Sequence, residues 1–323
     1  MIDYSLPLRG NRLGLGCWAI GGPFWANEQP LGWGQVDDET SIRSIRTAVD
    51  RGILLFDTAD VYGAGHSERI LGRTLGKDRK NVLIATKWGN VFDENSRQLT
   101  GIDLTPNYLA QACEASLRRL QTDWIDIYQL HAGDCPLERL PDLIGKLDTL
   151  VESGKIRSYG WSTDDVDLAA AMFSQSAASV VQFQLNVLTD NPSMISLIEV
   201  EKKMGLIRGP LAMGLLSGKY AAQKASDIDD VRNRTPSWMK YFKEGAPSPE
   251  YQARFERVRE GLSSGGRSSV QGALAWLWAR SGAVIPIPGF RTPDQVNELA
   301  GALEFGPFSA AQMKEFEMSL ITE

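Results

Sequence analysis

The sequence predicts an α/β fold, a single closed (β/α)8 barrel of the TIM type, on three observations. Short apolar runs recur along the chain, each followed by a stretch of helical period, which is the signature of a parallel sheet with helical crossovers. No linker or low-complexity segment divides the 323 residues, a length that one such barrel fills, so residues 1–323 read as one domain. No GxGxxG opens a helix after the first strand, which favours the closed barrel over an open dinucleotide-binding sheet.

Taken in order, the first strand falls at residues 13–16. The polar turn Leu8-Arg9-Gly10-Asn11-Arg12 before it suggests a small N-terminal hairpin closing the barrel floor. Residues 53–57, 82–87, 125–131, 158–162, 179–184, 205–208 and 283–286 supply the other seven strands. Between them lie amphipathic stretches: 38–51 with Ile42, Ile45 and Val49 on one face, 106–120 with Pro106 just inside its start, 192–204, and 270–280. Two segments read as long loops above the carboxyl ends of the strands. Residues 88–105 follow the third strand, and residues 221–266, rich in charge and proline, follow the seventh.

Composition narrows the chemistry. Apolar residues make up 43% and charged residues 23%, which supports a sizeable core. The net charge is −6 and the pI about 5.2, the wrong sign for binding nucleic acid or anionic lipid. The opening MIDYSLPLRG lacks the basic-then-apolar order of a signal peptide and no run is long enough to span a bilayer, so a cytoplasmic location is expected. Three scattered cysteines and two histidines leave neither a disulfide framework nor a histidine-rich metal centre, and no metal is expected.

Three strand runs end in ionisable residues: ILLFD in Asp57, VLIATK in Lys87 and WIDIYQLH in His131. In a barrel these ends share one face, with Tyr62 in the loop after Asp57. A tyrosine beside an ammonium is a competent proton donor, because the positive charge favours phenolate and lowers the phenol's pKa. Lys87 would supply that ammonium, Asp57 would neutralise and orient it, and His131 would hydrogen-bond an oxygen on which negative charge grows. A lysine at a barrel strand end could equally form a Schiff base, as in an aldolase.

The segments FDTADVYGAGHSERILG, ATKWG, YQLH, GKIRSYGWS and RGPLAMGLLSGKY, in that order along nearly the whole chain, resemble the aldo-keto reductase superfamily. The resemblance implies a (β/α)8 barrel, NADPH or NADH as cofactor, and reversible reduction of an aldehyde or ketone to an alcohol. It favours reductase chemistry for the lysine, and it places the superfamily's catalytic tetrad on Asp57, Tyr62, Lys87 and His131.

The resemblance also implies cofactor contacts. Ser162 and Thr163 take the place of the pair that holds the nicotinamide carboxamide, although the usual asparagine is absent. Gln182 matches the glutamine completing that clamp, and Gly16, Cys17 and Trp18 match the turn beneath the nicotinamide ribose. The loop following Arg208, with Gly209, Pro210, Leu211, Ala212, Gly214, Ser217 and Lys219, would embrace the pyrophosphate. PIPGFRTPDQVNEL would place Gly289, Arg291, Gln295 and Glu298 around the adenosine end, with Arg291 on a 2′-phosphate. Leu299 stands where an asparagine is common.

Trp25, Trp88 and Trp238 lie at strand ends or in the long loops and are expected to line an apolar pocket for a small-molecule carbonyl substrate. Trp276 and Trp278, at helical spacing, read as packing residues, and His66 as a local cap or surface group. A redox-sensing binding module like the β subunits of potassium channels is the rival within the superfamily. Those proteins generally carry asparagine at the position of His131.

Overall fold

The computed structural model describes residues 10–133, 135–175, 177–220, 229–234, 236 and 238–321. In chain order its strands are β1 (Leu15–Gly16), β2 (Trp25–Ala26), β3 (Gln29–Pro30), β4 (Leu55–Asp57), β5 (Leu83–Trp88), β6 (Asn90–Asp93), β7 (Gln98–Ile102), β8 (Ile125–Leu130), β9 (Ile156–Ser162), β10 (Ala178–Gln184), β11 (Met204–Arg208), β12 (Phe242–Lys243), β13 (Ala246–Pro247) and β14 (Val284–Pro286). Eight of them form one parallel sheet in the order β1-β4-β5-β8-β9-β10-β11-β14. The first and last strands meet: Gly14 N–H donates to Pro286 O at 3.0 Å, Gly16 N–H to Pro288 O at 2.9 Å, and Gly16 bridges Gly289. A Cβ on Gly16 would lie 2.8 Å from Ile287 O, so the seam of the barrel requires glycine there.

Strand alternation sorts the side chains. Leu55, Leu83, Ala85, Ile127, Val180, Leu206, Ile285 and Ile287 fill the barrel interior, while Phe56, Ile84, Tyr128, Tyr159, Trp161 and Val181 face outward and pack in the layer beneath the helices. Above the interior plug come the inward positions nearest the carboxyl ends of the strands. They are polar, and they form the candidate site. Helices start where the sequence says they should. Pro106 follows the cap Thr105, whose hydroxyl accepts from Tyr108 N–H at 3.2 Å, and Pro293 follows the cap Thr292.

Both expected long loops carry more order than their composition suggests. Residues 90–102 fold back as the antiparallel pair β6 and β7, turned at Asp93, whose carboxylate accepts from Ser96 N–H at 2.7 Å. β7 then pairs with β2, giving a four-stranded sheet β3-β2-β7-β6 beside the barrel mouth. Within the second segment residues 221–228 lie outside those described. The remainder of it includes the small β12–β13 pair and a regular helix, Pro249–Leu262, that buries Phe255, Val258 and Leu262 at helical spacing. The expected N-terminal hairpin involves Leu8 and Arg9, which lie outside the described residues.

Candidate active site

Asp57 closes β4, Lys87 is the penultimate residue of β5, and His131 follows β8 directly. Period-two alternation turns Lys87 inward above Leu83 and Ala85, where it is completely buried. Its ammonium has three protons and three acceptors: Asp57 Oδ2 at 2.7 Å, Thr58 O at 2.7 Å and Tyr62 Oη at 3.4 Å. Because Lys87 donates to the phenol oxygen, the Tyr62 O–H is left to point elsewhere. Tyr62 sits on a turn that packs against the loop after β1. A Cβ on Gly63 would be 1.8 Å from Gly21 O, which explains glycine next to the tyrosine.

Burial opposes the charge on Lys87, but the Asp57 carboxylate and the hydrogen bonds to Asp57 and the Tyr62 oxygen more than reverse it, so its pKa is raised and it stays an ammonium. For Tyr62 the balance differs from the sequence-based expectation. Burial raises the phenol more than the Lys87 charge lowers it, and the net direction is upward. The neighbouring ammonium offsets desolvation without overcoming it. Burial, followed by the positive charges of Lys87 and Arg208, pulls His131 down to about 3, so its imidazole is neutral.

Three amides complete the arrangement, and strand-end reasoning misses two of them. Gln182 donates to Asp57 Oδ1 at 2.7 Å and Gln129 donates to the same oxygen at 3.3 Å, so the carboxylate is held from both sides. Gln182, expected against the nicotinamide, turns its Nε2 toward Asp57. Gln129 is legible in principle: it is the one polar inward residue of a strand that is otherwise apolar on that face until His131. Asn90, the first residue of β6, brings its amide to within 3.3 Å of His131 Nδ1.

Aromatic rings line the approach to Tyr62. Trp18 stacks on it at 5.8 Å and 20°, Trp33 and Trp238 lie 5.5 and 6.1 Å from Trp18, and His131 meets the Tyr62 ring edge-on at 6.0 Å. Trp238 remains 48% exposed, so this wall is open to solvent. Trp88 does not belong to it. Being adjacent to Lys87 it faces the opposite side of β5, is completely buried, and stacks on Tyr128 at 6.3 Å beneath the helices. Trp25 is taken up in the small sheet, paired with Pro30 and Gln98. Trp276 and Trp278 are buried in the helix Ser269–Arg280, as their spacing suggests, and His66 contacts Asp38 at 2.9 Å.

Of the residues matched to cofactor contacts, Ser162 and Arg208 lie at the carboxyl ends of β9 and β11, and Gln295 and Glu298 lie in the helix Pro293–Phe305. Ser162 ends β9, and Thr163 is buried with its hydroxyl accepting from Asp165 N–H at 3.1 Å. Cys17 is buried and its N–H donates to Asp57 O at 2.7 Å. Arg208 at the end of β11 is ion-paired with Asp164. After it, Gly209 (φ 60°), Ala212 (49°), Met213 (56°) and Gly214 (92°) are left-handed, which curls the backbone tightly around Pro210 and Leu211. Ser217 turns back on Gly214 O at 2.7 Å, and Lys219 is exposed.

At the eighth strand, Gly289 is exposed, and the Gln295 side chain accepts from Arg291 N–H at 2.7 Å. The Arg291 guanidinium reaches the carbonyls of Trp33 and Gln35. Glu298 is partly buried, while Leu299 is packed into the core and cannot replace an asparagine contact. Arg232 is committed elsewhere: Asp230 takes it bidentately at 2.9 and 2.6 Å, and Trp33, Tyr220 and Phe242 surround the guanidinium.

Among the described residues no group of three His, Cys, Asp or Glu could hold a metal ion, and no helix is long and apolar enough to cross a membrane. The family model described as Aldo/keto reductase family matches residues 12–321. Aldo-keto reductase YhdN of Bacillus subtilis is 33% identical over 299 residues, covering 91% of this chain and 85% of that protein. Aldo-keto reductase yakc of Schizosaccharomyces pombe, whose name carries NADP(+), is 29% identical over 88% of this chain and 83% of its own. Among solved structures, the glycerol dehydrogenase AKR11B4 from Gluconobacter oxydans superposes with a TM-score of 0.78 at 30% identity, over 96% of this chain and 91% of that one.

Proposed function

Because the chain belongs to the aldo/keto reductase family, we propose that it reduces aldehydes or ketones to alcohols with a nicotinamide coenzyme, NADPH in preference to NADH, and that Tyr62 supplies the proton. The observation that carries this reading is the saturated Lys87 ammonium, which holds Asp57, Thr58 O and the Tyr62 oxygen together at the barrel mouth. The coenzyme would supply the hydride. The protein's part is to hold a carbonyl oxygen between two donors, the Tyr62 O–H and the neutral His131 ring, as negative charge develops on it. The raised Tyr62 pKa keeps that proton in place until it is needed.

The same geometry argues against the Schiff-base reading, since a lysine whose three protons are all engaged and whose pKa is raised has no lone pair to offer a carbonyl. Histidine at position 131 fits reduction better than a purely sensing module. The test is loss of NADPH absorbance with a panel of aldehydes, ketones and sugars. Turnover of a carbonyl supports the reading, and no turnover across the panel with coenzyme bound refutes it.

The residues fit such a coenzyme. The turn 209–214, left-handed at Gly209, Ala212, Met213 and Gly214, keeps the backbone after β11 compact, and the missing side chains of Gly209 and Gly214 leave room for a phosphate to approach it. Arg291 spends two guanidinium N–H groups on carbonyls and has three more, enough for a 2′-phosphate. Arg291→Ala is therefore expected to erase most of a roughly ten- to hundredfold preference for NADPH over NADH. Equal binding of both coenzymes by the wild type, or a preference that survives the substitution, would move the assignment to the exposed Lys219 or Arg234. Arg232 is excluded by its pairing with Asp230.

For the substrate, the open wall of Trp18, Trp33 and Trp238 favours apolar carbonyl compounds, because tryptophan can donate one hydrogen bond and accept none, leaving the hydroxyls of an aldose unpaired. Aryl or medium-chain aldehydes should show higher kcat/KM than aldoses, and Trp238→Ala should lower kcat/KM for an aryl aldehyde by about two- to tenfold. An aldose preference in the wild type would sink this assignment.

A further inference from the structure

His131 leaves β8 at the barrel mouth with its own N–H bonded to Trp88 O at 2.8 Å, which fixes the start of the loop but not the state of the ring. The ring's neighbour is Asn90. The Asn90 Nδ2 lies 3.3 Å from His131 Nδ1 and 3.5 Å from the His131 backbone carbonyl oxygen. A carbonyl oxygen only accepts, so the end of the amide turned toward His131 is its NH2 end, and Nδ1 is then an acceptor as well. A neutral imidazole that accepts at Nδ1 carries its proton on Nε2. Asn90 is itself anchored: the Tyr108 O–H, from the helix Pro106–Leu120, donates to Asn90 O, and Asp103 N–H donates to Gly89 O at 2.9 Å. Among the described residues no hydrogen bond occupies His131 Nε2.

We propose that Asn90 is a positioning residue that holds His131 as the Nε2–H tautomer, so that the ring presents a donor to a carbonyl oxygen bound beside Tyr62. The role of that donor rests on the proposed reductase function, but the tautomer does not. The hairpin formed by β6 and β7 then has a use beyond covering the barrel mouth, because it carries the amide that sets the ring. Lys87 and Arg208 add positive charge near His131 without bonding to the ring, and Tyr62 meets it only edge-on.

The chain has two histidines, so 15N-labelled histidine gives few signals in a two-dimensional NMR spectrum of the intact protein, and His66→Gln assigns them. The wild type is expected to show an unprotonated Nδ1 and a protonated Nε2 for His131. Asn90→Asp places an acceptor-only carboxylate at the same point, and should shift the proton to Nδ1. It should also lower kcat for carbonyl reduction by about a hundredfold or more with the NADPH Kd unchanged, the scale seen when one donor to a developing oxyanion is lost. A wild-type spectrum with the proton on Nδ1 overturns the proposal whether or not the variant folds, as does an Asn90→Asp variant that keeps the wild-type pattern or the wild-type kcat. Where the wild type shows the expected tautomer yet reduces no carbonyl, the reductase reading fails and the assignment of Asn90 to the ring stands.

Discussion

Tyr62→Phe is expected to reduce carbonyl turnover by at least about 10²- to 10⁴-fold while leaving NADPH binding at its wild-type strength. The substitution removes one oxygen and nothing else. The ring keeps its stacking on Trp18 and its edge contact with His131, so the pocket wall is preserved, while Lys87 loses its longest and weakest acceptor and keeps Asp57 and Thr58 O. Among the described residues no other hydroxyl is placed on Lys87 to take over the transfer. The pH dependence follows from the same groups. Reduction needs a protonated phenol and a neutral imidazole. Tyr62 is raised above the ordinary phenol value and His131 is lowered to about 3, so the free enzyme keeps both in the required state across neutral pH and should lose reductase activity only well on the alkaline side. Turnover of the phenylalanine variant within a few-fold of wild type would remove Tyr62 from the chemistry.

Lys87→Met is expected to cost both activity and stability. Without the ammonium, the buried Asp57 carboxylate keeps only the amides of Gln129 and Gln182, and an uncompensated buried charge typically destabilises by about 3–5 kcal/mol. The Tyr62 oxygen loses its donor at the same time, so turnover should fall at least about a hundredfold. The two effects separate in the double variant Asp57→Asn with Lys87→Met, which removes the stranded charge. Its stability to urea should recover much of the loss, and its activity should not. A single Lys87→Met variant as stable as wild type would mean that Asp57 is protonated or solvated there, and a double variant that regained activity would show that the ammonium is dispensable.

Much of this site is readable from strand ends. Asp57, Lys87 and His131 each terminate an apolar run, and a parallel barrel brings such ends to one face whatever the loops do. Side-chain direction is harder to read. Trp88 looks like a pocket residue because it sits at the end of β5, yet adjacency to Lys87 already implies the opposite face, and the structure buries it under the helices. Gln182 and Gln129 serve Asp57 because both project inward at the level of the carboxylate, a relation between three strands that no local pattern encodes. The helix Pro249–Leu262 has a visible stripe in Phe255, Val258 and Leu262, but the prolines and charges around it read more strongly as loop. The direction of the Tyr62 pKa requires knowing how much water the aromatic wall removes, and the contact between Asn90 and His131 requires a hairpin to fold back across the barrel mouth.

Hydride from a nicotinamide coenzyme should reach a carbonyl carbon while Tyr62 protonates the oxygen. The most direct test is to incubate the protein with an aryl aldehyde and NADPH deuterated at both C4 positions, and to examine the product alcohol by mass spectrometry and NMR. One deuterium is expected on the carbinol carbon of every alcohol formed, at a rate that collapses in Tyr62→Phe. An alcohol carrying no deuterium at that carbon, or a rate indifferent to Tyr62, would contradict this chemistry.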